Sequence, residues 1–144
     1  MTIDDLINKW KSESIINREA IGEEILKISD LTFQWQRLLM EENLKLKTLQ
    51  TEYDKIYLER YRFYTEGPKT LKDKEDVKKI PPVVILKSDV EKWLQADDQI
   101  IQISTKIFVS KEKIGFIQSA LWELRGRGKN LQNFVQWEKF MAGS

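Results

Sequence analysis

The chain has 144 residues, no cysteine and no histidine, and 24 basic residues against 23 acidic ones, a net charge of +1. Disulfides, zinc fingers, thiol nucleophiles and imidazole bases are thereby excluded. No run approaches the roughly 18 apolar residues of a membrane span, and with 41% apolar residues, six Gly and three Pro the composition predicts a soluble, cytoplasmic, helix-rich protein.

Thr2 is placed to cap a short helix from Ile3 to about Lys11, with Ile3, Leu6, Ile7 and Trp10 at helical spacing. Asn17 predicts the N-cap of a second short helix. Ser29-Asp30 is expected to open a first long helix from about Asp30 to Thr65, whose row Trp35, Leu39, Glu42, Leu46, Leu49, Tyr53, Ile56, Arg60 and Phe63 follows 4,3 spacing. Residues 66–83, bounded by prolines and charged between them, read as a long surface loop.

Ser88-Asp-Val-Glu91 has the form of a capping box. After it, Trp93, Ile100, Ile107, Ile114 and Leu121 recur every seven residues, with Ala96, Ile103, Ser110, Ile117 and Leu124 three further on. The spacing predicts a coiled-coil type of helix from Ser88 to Arg125, stopped by Gly126-Arg-Gly128. A third row, Ile101, Phe108 and Trp122, widens the apolar stripe beyond a two-stranded seam. Leu131, Phe134, Val135, Trp137 and Phe140 then form a separate short amphipathic helix. The fold class is therefore all-α, two long heptad-bearing helices with short helices at each end.

Charge is unevenly distributed. Residues 1–30 carry 4 positive and 7 negative charges, residues 68–87 carry 6 and 3, and residues 126–144 carry 3 and 1. All four tyrosines lie between positions 53 and 64, at 53, 57, 61 and 64, with Arg60 and Arg62 among them. Rings interleaved with guanidinium groups suit single-stranded nucleic acid, because bases stack on the rings and the cations neutralise phosphate. Lys69 and Lys72, in the loop that follows, extend that surface. The same pattern also fits tyrosines packed on a partner helix with their hydroxyls at the rim.

No constellation for catalysis or metal binding is present, and Asp97-Asp98 is the one carboxylate pair inside the second long helix. No enzymatic activity, metal or cofactor is expected. Two heptad-bearing helices and an aromatic end expose more apolar surface than one copy buries easily, which predicts a homo-oligomer. Ile100, Ile107, Ile114, Ile117, Leu121, Leu124, Phe134, Trp137 and Phe140 are the candidate contacts. The competing reading is a coiled-coil scaffold or adaptor that meets only proteins.

The order and spacing of Arg60-Tyr-Arg62-Phe-Tyr64-Thr-Glu-Gly67, of Ile85-Leu-Lys-Ser-Asp-Val90 and of Arg127-Gly128 with Trp137-Glu-Lys-Phe140 carry a resemblance. Over nearly its whole length the chain resembles the UvsY family of recombination mediators from T-even-like myoviruses, especially the forms of marine phages. The resemblance implies an all-helical chain that assembles into a ring of roughly six to eight identical subunits. It implies binding to single-stranded DNA, and loading of a RecA-like recombinase of the UvsX type onto DNA coated by the phage single-stranded-DNA-binding protein, in an infected host's cytoplasm. It also implies DNA contacts at the end of the first long helix. There Arg60, Phe63 and Tyr64 match the family pattern, and Leu58 stands where the family carries a basic residue. Residues 1–67 would then be an N-terminal helical region with the DNA-binding segment, 68–87 a basic loop, and 88–144 the oligomerisation region.

Overall fold

The computed structural model describes residues 1–66 and 86–143, and among them every regular element is helical. The elements are α1 (Ile3–Glu13), a 3-10 turn (Arg18–Ala20), α2 (Ile21–Glu66), α3 (Val90–Gln95) and α4 (Asp98–Gly143). The predicted all-α class is borne out. The expected loop over 66–83 begins at a residue, Glu66, that is the last of α2, and its remainder, with Lys69 and Lys72, lies outside the described residues.

Local chemistry sets the first boundaries. The Thr2 hydroxyl accepts from the Asp5 backbone N–H at 3.1 Å, and the Asp5 carboxylate accepts from the Thr2 N–H at 2.8 Å. This reciprocal box satisfies two donors at the start of α1, and those bonds from Thr2 hold the exposed Asp5 carboxyl below its usual range. The Asn17 side chain accepts from the Glu19 N–H at 3.0 Å and opens the 3-10 turn.

Three junctions differ from the sequence expectation. First, α2 starts at Ile21 and runs through Ser29-Asp30, so the second short helix and the first long one are a single element. Asp30 accepts from Gln34 on the helix surface at 2.8 Å instead of capping. Second, the capping box at Ser88 does not form. Asp89 stands at the N-cap of α3 and its side chain makes no capping hydrogen bond, while Glu91 accepts from the Tyr57 hydroxyl at 2.7 Å. A tertiary partner takes the carboxylate that the local motif required. The helix expected to start at Ser88 then breaks after α3, and restarts where Asp97 accepts from the N–H groups of Gln99 (2.9 Å) and Ile100 (3.2 Å).

Third, α4 passes through Gly126-Arg-Gly128 without a stop. Ile103, Ser110, Ile117, Leu124 and Leu131 are all buried at seven-residue intervals, so ending the helix at Gly126 would take Leu131 out of that row. Arg127 reinforces the continuation by donating to the Glu13 carbonyl at the end of α1 at 3.1 Å, with its guanidinium 5.4 Å from the Trp10 ring. Glycine costs about 1 kcal/mol against alanine in a helix interior, and tertiary packing offsets that cost here. A Cβ on Gly126 would meet only the Asn130 side chain at 3.9 Å, and one on Gly115 meets nothing within 4 Å. Gly115→Ala and Gly126→Ala are each expected to raise stability by about 1 kcal/mol, read as a higher urea midpoint at unchanged m-value.

The described chain divides into two compact units, residues 1–44 with 110–144 and residues 45–109. In the first, Leu6, Trp35, Ile117, Ala120 and Leu124 form the core, flanked by Trp10, Leu31, Leu38, Leu39, Phe116 and Leu121. Trp35 packs edge-on to Trp10 at 5.7 Å and tilted to Phe116 at 6.2 Å. The Ser110 hydroxyl donates to the buried Glu42 carboxylate at 2.8 Å. As α2 ascends from Trp35 to Glu42 its partners on α4 descend from Phe116 to Ser110, so the two helices run antiparallel in this unit. A buried polar pair in a row of apolar residues opposes sliding by a turn, because a shift would leave the carboxylate unsatisfied.

Candidate nucleic-acid interface

The second unit holds the end of α2 and the candidate DNA-binding residues. Its buried side chains include Phe63, Val90, Leu94, Ile100 and Ile103, so α2, α3 and the start of α4 share one apolar interior. The 4,3 row of α2 faces inward. In this unit Leu46, Leu49, Tyr53 and Ile56 are half-buried, and Arg60 and Phe63 are buried.

Arg60 is thus a member of the inward row. Its Nε donates to Asp97 Oδ2 at 2.8 Å, and both side chains are 4% exposed. The guanidinium carbon lies 4.1 Å from the Phe63 ring centroid and 5.5 Å from that of Tyr64. The Tyr64 hydroxyl donates to the same Asp97 Oδ2 at 2.7 Å. Oδ1 of that carboxylate caps α4 through Gln99 and Ile100. One aspartate therefore ties the last turns of α2 to the first turn of α4. The sequence reading noted Asp97 only as half of the Asp97-Asp98 pair, because its partners lie 33 and 37 residues away.

Electrostatics follow from this geometry. Burial opposes the Asp97 charge, but the hydrogen bonds from Tyr64, the Ile100 N–H and Arg60 hold its carboxyl below the usual range. Burial also opposes the Arg60 charge, and its bonds with Asp97 and Tyr64 raise the guanidinium above its ordinary value. Burial first, and then the bond to Asp97, push the Tyr64 phenol up to about 12. The bond to Glu91 comes first for Tyr57, pushed up to about 12.

The neutral phenols are the forms that the fold favours, so their stabilisation is complete below about pH 10 and is lost as pH rises from 10 towards 12. Ultraviolet titration of the native chain should show Tyr57 and Tyr64 ionising late. Tyr57→Phe and Tyr64→Phe should each remove one late-titrating phenol. A late-titrating absorbance unchanged by both substitutions would contradict the assigned bonds.

Two of the other candidates point outward. Tyr61 and Arg62 are exposed, while Tyr53 and Tyr57 stack at 6.0 Å along the helix and are half-buried. Tyr53 also lines an open apolar groove with Ile100, Ile101, Ser104, Thr105 and Phe108. The tyrosines thus divide: Tyr57 and Tyr64 commit their hydroxyls to carboxylates, and Tyr61 offers its ring to solvent.

Of the candidate oligomer contacts, Ile100, Ile117 and Leu124 are buried within one copy, and Ile107, Ile114, Leu121 and Phe134 are half-buried. Trp137 and Phe140 are exposed and stack on each other at 6.2 Å. Trp122 and Phe108 of the third row are exposed as well. On α2, Leu26, Phe33 and Met40 form an exposed seven-residue repeat that the sequence reading missed. Among the described residues no group of three or more acidic side chains could hold a metal ion, and no helix is long and apolar enough to cross a membrane.

Residues 9–144 match the family described as "Recombination, repair and ssDNA binding protein UvsY". No curated protein sequence matches the chain. Among solved structures, the bacteriophage T4 recombination mediator protein UvsY in its lattice type II superposes with a TM-score of 0.81, at 18% identity over 99% of this chain and 98% of that one. Lattice type IV of the same protein superposes at 0.80, with 14% identity over 98% of this chain and 99% of that one. These likenesses show a shared fold. With the family match running from Lys9 to the last residue, the chain belongs to the UvsY family.

Proposed function

We propose that the chain is a recombination mediator that binds single-stranded DNA and promotes loading of a RecA-like recombinase onto DNA coated by a single-stranded-DNA-binding protein. The observation that carries this reading is the family match over residues 9–144, whose description names recombination, repair and single-stranded DNA binding. The end of α2 is the candidate DNA surface, with Tyr61 and Arg62 outward and Tyr57, Arg60 and Tyr64 behind them. Lys69 and Lys72, next in the chain, add cations for the phosphates. The protein performs no bond chemistry, uses no cofactor, and acts in the cytoplasm of a phage-infected bacterium.

Self-association belongs to the same proposal. The exposed row Leu26, Phe33 and Met40 and the exposed Trp122, Trp137 and Phe140 support it, because apolar surface of this extent gains by burial against further copies. A closed ring repeats one modest basic patch many times, so a chain with a net charge of +1 can still hold a polyanion by multivalency.

Fluorescence anisotropy with a labelled oligonucleotide is expected to show binding that weakens as salt rises, and weakens further in Arg62→Ala. Absence of binding at moderate salt would favour the scaffold reading. Light scattering should give a mass several times 17.1 kDa, and a monomer at micromolar concentration would remove the ring.

A further inference from the structure

We propose that Arg60 is a positioning residue of the DNA surface and touches no phosphate: it acts through Asp97 to fix the last turns of α2, from which Tyr61 and Arg62 reach the strand. This inference rests on the single-stranded-DNA reading. Arg60 is 3% exposed, in contact with Asp97 Oδ2 and stacked against Phe63. Asp97 is committed at both oxygens, to Arg60 and Tyr64 on one and to the first N–H groups of α4 on the other. If the guanidinium turned out to a phosphate, a buried carboxylate would lose its cation, a larger loss than one solvent-exposed phosphate contact returns.

Arg62 has none of this enclosure. It follows Arg60 by two residues, about 200° round the helix, and it is exposed together with Tyr61. The same turns therefore carry a locked inner face and a free outer face. The lock sets the direction of the outer one, because Arg60 and Tyr64 bracket Tyr61 and Arg62 in sequence and both end on one carboxylate oxygen.

Salt dependence separates the two roles. In anisotropy titrations of the full chain with a labelled oligonucleotide, losing a phosphate contact lowers the slope of log K against log salt by about 0.7 for a single strand. Arg62→Ala is expected to show that loss. Arg60→Ala and Asp97→Asn should each weaken binding about three- to thirty-fold with the wild-type slope retained. The double variant should bind no more weakly than Arg60→Ala alone, because both changes open one lock.

Two results would overturn the inference. One is a slope reduced in Arg60→Ala as it is in Arg62→Ala. The other is Asp97→Asn binding as tightly as wild type or more tightly, as removal of a negative charge beside a phosphate site would cause. If Arg60→Ala loses helicity by circular dichroism, Asp97→Asn and Tyr64→Phe decide the matter by the same criterion: weakening at constant slope supports the lock, and unchanged affinity in both removes it. A wild type without salt-sensitive binding removes the DNA reading itself, an outcome distinct from either failure of the variants.

Discussion

Asp97→Ala is expected to destabilise the protein by about 3–5 kcal/mol, the range for leaving one member of a buried ion pair without its partner. The substitution takes the carboxylate from the Arg60 guanidinium at 4% side-chain exposure, removes the acceptor of the Tyr64 hydroxyl, and uncaps the Gln99 and Ile100 N–H groups. Urea unfolding followed by circular dichroism measures the loss, and a change below about 1 kcal/mol would contradict the assigned network. Asp97→Asn keeps one oxygen, enough either for the Arg60 and Tyr64 donors or for the two backbone N–H groups, and should cost less than Asp97→Ala. Ser88→Ala, at the capping box that does not form, should stay within about 0.5 kcal/mol of wild type. The pair of results separates a tertiary capping residue from a local motif that the fold bypasses. The lowered Asp97 pKa gives the same network a pH signature: its contribution is present above the ordinary value of 3.8 and is lost as pH falls through the depressed one.

Trp35→Ala should cost about 3–5 kcal/mol, the range for deleting a large buried aromatic. Trp35 is 0% exposed at the centre of the first unit's core, against Trp10 and Phe116. Its indole N–H donates to the Glu13 carboxylate at 2.7 Å, and that carboxylate also pairs with Lys9. Trp35→Phe retains most of the ring but drops the hydrogen bond, so it should cost less than Trp35→Ala, about 1–3 kcal/mol. Equal losses in the two variants would place the whole effect in the bond to Glu13 and none in packing. Neither variant touches the candidate DNA residues, so oligonucleotide binding should persist wherever the variants remain folded.

Much of the site was legible in the repeat that predicted the first long helix. The row Trp35, Leu39, Glu42, Leu46, Leu49, Tyr53, Ile56, Arg60 and Phe63 turned out buried or half-buried throughout. Glu42 and Arg60 were already members of it, and a charged residue in an inward row signals a buried partner. For Arg60 that signal competed with its neighbours, because tyrosines and a second arginine suggested an outward nucleic-acid face. The partners were not legible. Ser110 lies 68 residues from Glu42, and Asp97 lies 37 from Arg60; spacing within one helix says nothing about which residue of another helix arrives opposite. Missing the Leu26, Phe33 and Met40 repeat has a related cause. Two apolar rows share α2, and only packing decides which of them one copy buries.

The sequence by itself determined that the chain is helical, where its apolar rows run, that Thr2 and Asn17 cap the first turns, and that its motifs resemble the UvsY family. These are properties of near neighbours in the chain, or of their order, and capping and periodicity act over a few residues. Tertiary structure alone decided that α4 continues through Gly126 and Gly128, that Glu91 serves Tyr57 instead of a capping box, and that Asp97 binds Arg60 and Tyr64 at the end of α2. It also decided which arginine at the end of α2 faces inward. In each case a local preference of about 1 kcal/mol was set against a contact with a distant residue; at Arg60 and along α4 the distant contact is buried, and it prevailed because an unsatisfied charge or an exposed apolar row costs more.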